Sequence, residues 1–127
     1  MQLVGKVRAM IAAGQSREAA ALCEQKLDQL PASAEAGLLS GLMLTIKGRH
    51  NDAIAAYDMA LSFAPDALYA YIGMAENLAE KGWLNSAVVV LEDARATASF
   101  TDEAQTLLET LHARLTHLQQ AARGRSA

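Results

Sequence analysis

The side chains able to do chemistry are few, and their spacing argues against it. The three histidines are His50, His112 and His117. His112 and His117 stand five residues apart, which on a helix points them in different directions, unlike the i, i+4 spacing of a metal-binding pair. His50 falls at a turn between helical segments, and all three read as solvent-facing polar residues. The single cysteine, Cys23, occupies an apolar helix position with no nearby histidine to take its proton. It therefore reads as a buried, inert thiol. Glu18, Asp52 and Glu103 lie near helix starts, where a carboxylate complements the backbone dipole. Glycines are dispersed and never cluster before a helix, so there is no phosphate loop. Trp83 follows Gly82 at a turn and reads as packing between structural units, with ligand stacking as its other possible role. No nucleophile, base and orienting group can be placed together, so neither an enzyme nor a metal or cofactor site is expected.

The elements that position these residues are set by a stride. Gly14, Gly48 and Gly82 are each 34 residues from the next, as are Ala19, Ala53 and Ala87, and Met10, Leu44 and Leu78. The two prolines, Pro31 and Pro65, keep the same step. A fixed period of this size marks a stacked helical repeat.

Composition agrees. Hydrophobic residues make up 52% of the 127-residue chain but aromatics only 5%, so the core is expected from Ala, Leu, Val, Ile and Met. Small side chains let helix axes approach closely. The length suits a single domain, and one cysteine permits no internal disulfide. A net charge of −3 leaves no basic field to displace counterions from nucleic acid. No apolar run reaches the roughly 18 residues of a membrane span. The first residues lack the apolar core of a signal peptide, which makes the cytoplasm the expected location.

Helical periodicity is nearly continuous. A first helix is expected over 2–13, with Leu3, Val7, Met10 and Ile11 on one face, ended by Gly14. Ser16 is the expected cap of a second helix carrying Ala19, Ala20, Cys23 and Leu27, closed by Pro31. Ser33 caps a helix over 34–47, which Gly48 stops. Asn51 is the expected cap of its partner, which ends before Pro65, with Ala53, Ile54, Tyr57, Ala60 and Leu61 inside. Asp66 is the expected cap of a fifth helix up to Gly82, and the sixth spans about 84–98. Units therefore fall at about 1–33, 34–67 and 68–101. Beyond them, Ala104, Leu108, Leu111, Leu115 and Leu118 form one stripe of a long amphipathic helix over 101–122. That helix covers the face the last unit would leave wet. Residues 123–127 read as a frayed tail.

The central unit, AEAGLLSGLMLTIKGRHNDAIAAYDMALSFAPD, resembles the tetratricopeptide repeat family. Gly41, Ala53, Tyr57, Ala60 and Pro65 fall on its signature small, aromatic and proline positions. The following unit matches through Tyr71, Ala75, Ala87, Leu91 and Ala94, with Ser99 in place of the proline. The first matches through Ala19 and Pro31, with Cys23 at the aromatic position and Lys26 at the small one. Gly37 replaces the usual tryptophan and Ser40 a leucine, and both are expected to weaken the packing of the first helix of the unit on the second. The resemblance covers about three quarters of the chain. It implies an all-α fold: an α-α superhelix of about three tetratricopeptide repeats plus a C-terminal capping helix.

It also implies that the first helix of each unit lines a concave face where partners lie. On this chain that face maps to Val4, Arg8, Leu38, Leu42, Thr45, Ile46, Tyr69, Ile72, Glu76 and Ala79. The middle is apolar, with Arg8 expected at one end and Glu76 at the other. The positions at which some family members clamp a C-terminal carboxylate hold Val4, Arg8, Leu39, Tyr69 and Gly73, a single cation, which argues against that ligand. An apolar or amphipathic segment of another protein fits better. Core and interface stripes look alike in sequence, so each residue stays open between packing and contact; as a set they point to contact.

Two roles follow. The first is a binding scaffold, adaptor or chaperone holding a partner segment in the groove; in size, acidity and apolar groove the chain is similar to the chaperones of bacterial type III secretion. The second is a structural subunit that associates with itself through the groove or the C-terminal stripe.

Overall fold

A computed structural model describes residues 2–97 and 99–125, and the described residues hold seven helices and no strand. They are α1 (Gln2–Ala12), α2 (Ser16–Leu27), α3 (Ala34–Ile46), α4 (His50–Phe63), α5 (Leu68–Glu80), α6 (Leu84–Thr97) and α7 (Asp102–Arg125). They pack as the hairpins α1–α2, α3–α4 and α5–α6, with α7 laid against α6. The first helices of the hairpins, α1, α3 and α5, touch one another in turn along one side. This is the all-α superhelix with a C-terminal capping helix that the stride implies.

The stride is visible in the backbone itself. Gly14, Gly48 and Gly82 take φ of 81°, 73° and 83°, the left-handed conformation in which a Cβ is strained. At each, the next residue donates back to the residue five earlier: Gln15 to Met10, Arg49 to Leu44 and Trp83 to Leu78, all at 2.9 Å. The glycine amides bond Ile11, Thr45 and Ala79 at 2.9–3.0 Å. Three copies of one C-terminal motif thus use the last open carbonyls of α1, α3 and α5 and turn the chain back.

These turns also displace two of the expected caps, and a third is displaced elsewhere. Ser33 does cap α3, its Oγ accepting from the Ala36 amide at 3.1 Å, and Thr101 Oγ1 accepts from the Ala104 amide at 3.2 Å. Ser16 and Asn51, however, lie inside α2 and α4, whose caps are Gln15 and Arg49 without a side-chain bond. The glycine turn launches the second helix so quickly that no separate capping residue is inserted. Asp66 is likewise not the cap of α5; Ala67 is, also without a side-chain bond. α2 stops at Leu27, ahead of Pro31, and unwinds through a turn in which the Gln29 amide bonds the Lys26 carbonyl at 3.0 Å. Ala64, just before Pro65, is extended at φ −142° and ψ 90°, as the proline ring demands of its neighbour. Expected and observed ends otherwise differ by a residue or so, and Ala98 lies outside the described residues.

α7 runs on to Arg125, past the end expected near residue 122, so a frayed tail at 123–125 is not observed; residues 126–127 lie outside the description. No proline interrupts that stretch, and a lone glycine near a helix end costs too little to stop it.

Two buried clusters make the core. The first gathers Val4, Val7, Ala19, Cys23, Leu38, Leu39, Ala53, Tyr57 and Ala60. The second gathers Ile72, Ala75, Leu78, Leu84, Ala87, Leu91, Ala104, Leu108 and Leu111. The in-register alanines 19, 53 and 87 are all fully buried at helix crossings. Gly37 corrects an expectation. A Cβ there would lie 2.8 Å from Ala60 Cβ and 3.0 Å from its Cα, so the glycine lets α3 and α4 close rather than loosening them. Trp83 corrects another: it is 54% exposed, with the Lys81 ammonium 3.9 Å above its ring, not packed between units.

Candidate partner-binding groove

The concave side of α1, α3 and α5 encloses an open groove of about 480 Å³. Its floor is built on Tyr57 of α4, whose ring passes between two glycines. A Cβ on Gly41 would stand 2.5 Å from ring atoms, and one on Gly73 closer still. A side chain at either place would clash with the ring and force it to shift. Gly41 lies on α3 and Gly73 on α5, so the ring also holds adjacent hairpins together. Burial, the main influence, pushes the Tyr57 phenol upward in pKa, and a hydrogen bond with Thr45 opposes it in part.

Beside the ring runs a polar chain. Asn77 is a buried polar residue, 1% exposed, in the last turn of α5. Its Nδ2 donates to Thr45 Oγ1 at 2.9 Å and to the Gly73 carbonyl at 2.8 Å. Thr45 in turn donates to the Gly41 carbonyl at 2.7 Å. Because Asn77 Nδ2 faces two acceptors, its Oδ1 faces His50 Nδ1, 2.7 Å away, and that nitrogen carries the proton. His50 is therefore a half-buried donor tying the start of α4 to α5, not the free surface residue its sequence context suggests. Every member of this network is satisfied, so it stiffens the floor.

The charges in the groove are arranged differently from the expectation. Arg8 and Glu76, expected at opposite ends, line the same groove without an ion pair between them, and Glu103 of α7 joins them. The Arg8 guanidinium faces the Glu103 carboxylate with both Nη atoms, Nη1 at 3.4 Å, and its carbon lies 4.1 Å above the Tyr69 ring. Desolvation, the largest influence on Arg8, lowers its pKa; Glu103, Tyr69 and Glu76 together outweigh it and keep the cation favoured. Glu76 keeps contact with solvent, yet the groove walls desolvate its carboxyl and raise its pKa; Arg8 opposes this, and Glu103 and Glu80 add to it. The curl of the superhelix causes the encounter by bringing the first and third hairpins round towards each other.

Of the residues mapped to the concave face, Arg8, Leu42, Thr45, Tyr69 and Glu76 line the groove. Val4, Leu38 and Ile72 do not offer an exposed surface: they are buried under the floor, on a crevice of about 10 Å³ that holds one water at most. Ile46 packs against the first core cluster and Ala79 within the second. Close approach of α1, α3 and α5 at their small residues covers these side chains. The groove is therefore less greasy than expected, with Ile11, Leu42, Tyr57 and Tyr69 as its apolar surface and charged and amide groups between them.

Asn77 and Glu103 line the groove without having been assigned to it from sequence, as does Gly73, which the sequence singled out only as a clamp position. Asn77 had a signal, since an asparagine inside an apolar helix calls for a local partner. Glu103 had none, being 95 residues from Arg8 and outside the repeats. Cys23 is buried as expected, and burial raises its thiol pKa. His112 Nε2 lies 3.6 Å from Glu92 Oε1 on the outer side. No helix among the described residues is long and apolar enough to cross a membrane.

No protein-family model matches the chain. No curated protein matches it in sequence. Among solved structures the fold is similar to that of SycD, the type III secretion translocator chaperone of Yersinia enterocolitica. The TM-score is 0.66 at 18% identity, over 96% of this chain and 84% of that one. At that identity the likeness speaks for the shared fold.

Proposed function

We propose that the chain is a protein-binding scaffold of chaperone type, holding an amphipathic or apolar segment of a partner protein in the concave groove. The observation that carries this reading is the groove itself: about 480 Å³, open to solvent, on a floor made rigid by Tyr57 and the Asn77 network. A preformed cleft loses little entropy on binding. Its mixture of apolar and hydrogen-bonding walls suits a single peptide segment. The structural likeness to a secretion chaperone is consistent with such a role. Isothermal titration of the full chain with a panel of amphipathic peptides tests it. Saturable binding that Leu42→Glu weakens is expected, and absence of binding across the panel overturns it.

A second reading is self-association through α7. The stripe outlasts its partner helix: Leu108 and Leu111 are buried, Leu115 is half-buried, and Leu118 is 53% exposed. Light scattering over a range of concentrations decides it, and a mass that stays monomeric rules it out.

A further inference from the structure

The groove carries a carboxylate that no hydrogen bond or ion pair among the described residues holds. Arg8 is already committed, with its Nη atoms on Glu103 and its face on Tyr69. Glu76 has no such partner. Among the described residues it makes no hydrogen bond and no ion pair; Arg8 attracts it from a distance while committed to Glu103, and the carboxylates of Glu103 and Glu80 are its like-charged neighbours. One guanidinium set against the carboxylates of Glu76 and Glu103 leaves the groove with a single net negative charge, carried at Glu76.

That charge constrains the occupant. In the empty groove water solvates Glu76, but a segment lying on Ile11, Leu42 and Tyr57 removes that water. A purely apolar segment would strand the carboxylate, a costly state for an ion. An acidic segment would add repulsion. A lysine or arginine would restore a charge-assisted hydrogen bond where the walls lower the local dielectric and strengthen it.

We infer that the groove selects an amphipathic partner segment bearing a lysine or arginine, seated with its apolar side on Leu42 and Tyr57 and its cation on Glu76. This rests on the groove being a peptide site, and it adds a chemical rule for which peptide is taken. Glu76 is the specificity-determining residue, and the Arg8–Glu103 pair beside it keeps a second cation from being demanded.

Three synthetic amphipathic peptides, identical except for lysine, norleucine or glutamate at one edge of the apolar face, are titrated calorimetrically into the full chain. The lysine peptide should bind about tenfold more tightly than the norleucine peptide, and the glutamate peptide most weakly. Glu76→Gln, nearly isosteric at a solvent-contacting position, should collapse the lysine-to-glutamate ratio towards one, and Glu76→Lys should invert it. Equal binding of the three peptides, or a lysine preference that survives Glu76→Gln, overturns the selection rule while leaving groove binding intact. Failure of all three to bind overturns both.

Discussion

Tyr57 and Leu108 hold comparable places in the two halves of the molecule, each inside a buried cluster, yet the clusters are built on different principles. Around Tyr57 the backbone itself approaches: Gly41 and Gly73 have no side chain because the ring occupies that space. Around Leu108 the partners are ordinary side chains, among them Leu78, Leu84, Leu91 and Leu111. The Tyr57 cluster shapes a surface as well as a core, since its ring, together with Gly41 of α3 and with Gly73 and Asn77 of α5, forms the groove floor. None of the residues of the Leu108 cluster lines the groove, although Glu103, earlier on the same helix, does, and α7 continues after its packing has ended. Rigidity is thus concentrated under the groove.

The contrast can be broken most decisively at the tyrosine. Tyr57→Ala should lower the unfolding free energy by about 3–5 kcal/mol in urea titration and abolish peptide binding with it. Leu108→Ala should cost about 2–4 kcal/mol while the remaining folded protein still binds peptide, because no residue of the Leu108 cluster lines the groove. Loss of binding in that folded variant would mean that the halves are not separable.

Glycine substitutions sharpen the comparison through the sign of the effect. Gly73→Ala should destabilise by about 1–3 kcal/mol, overpacking outweighing the better helix propensity of alanine. Gly5→Ala, on the same concave side but with open space where the Cβ would go, should instead stabilise by up to about 1 kcal/mol. Equal effects would show that the tyrosine slot yields.

Glu76 gives a smaller effect with a defined pH dependence. Its folded-state pKa is raised, so between the unfolded and folded values the native state binds more protons than the unfolded state. Its contribution therefore favours the fold at low pH and is lost as pH rises through the folded value. Glu76→Gln should raise the melting temperature at neutral pH, and the gain should vanish on acidification; a constant difference would show the carboxylate to be fully solvated. Smallest of all, Leu118→Ser should change monomer stability by no more than about 0.5 kcal/mol in thermal melts. A larger, concentration-dependent loss would reveal self-association through α7.

The positions of the hairpins were legible because their causes are local. A glycine in left-handed conformation every 34 residues, with its two backbone hydrogen bonds, can be read without knowing any neighbour. The caps at Ser16 and Asn51 were misjudged for a related reason: a tight glycine turn supplies the geometry a capping side chain would otherwise provide, whereas at Asp66 the turn after Pro65 starts α5 one residue later. The site was legible only in part. Arg8, Leu42, Thr45, Tyr69 and Glu76 follow from helix phase, but burial of Val4, Leu38 and Ile72 depends on how closely the helices approach. Gly41 and Gly73 grip one ring from positions that are not equivalent in the repeat, so the stride carries no signal for the pair.

Sequence alone determined the units, their turns and the amphipathic last helix, since each arises from contacts within a few tens of residues along the chain. Only the tertiary structure decided that Arg8, Glu76 and Glu103 share one space, that Tyr57 is part of the groove floor and that the groove is charged rather than simply apolar. The physical reason is curvature: small rotations between hairpins add up over the stack, and their sum decides which distant side chains meet.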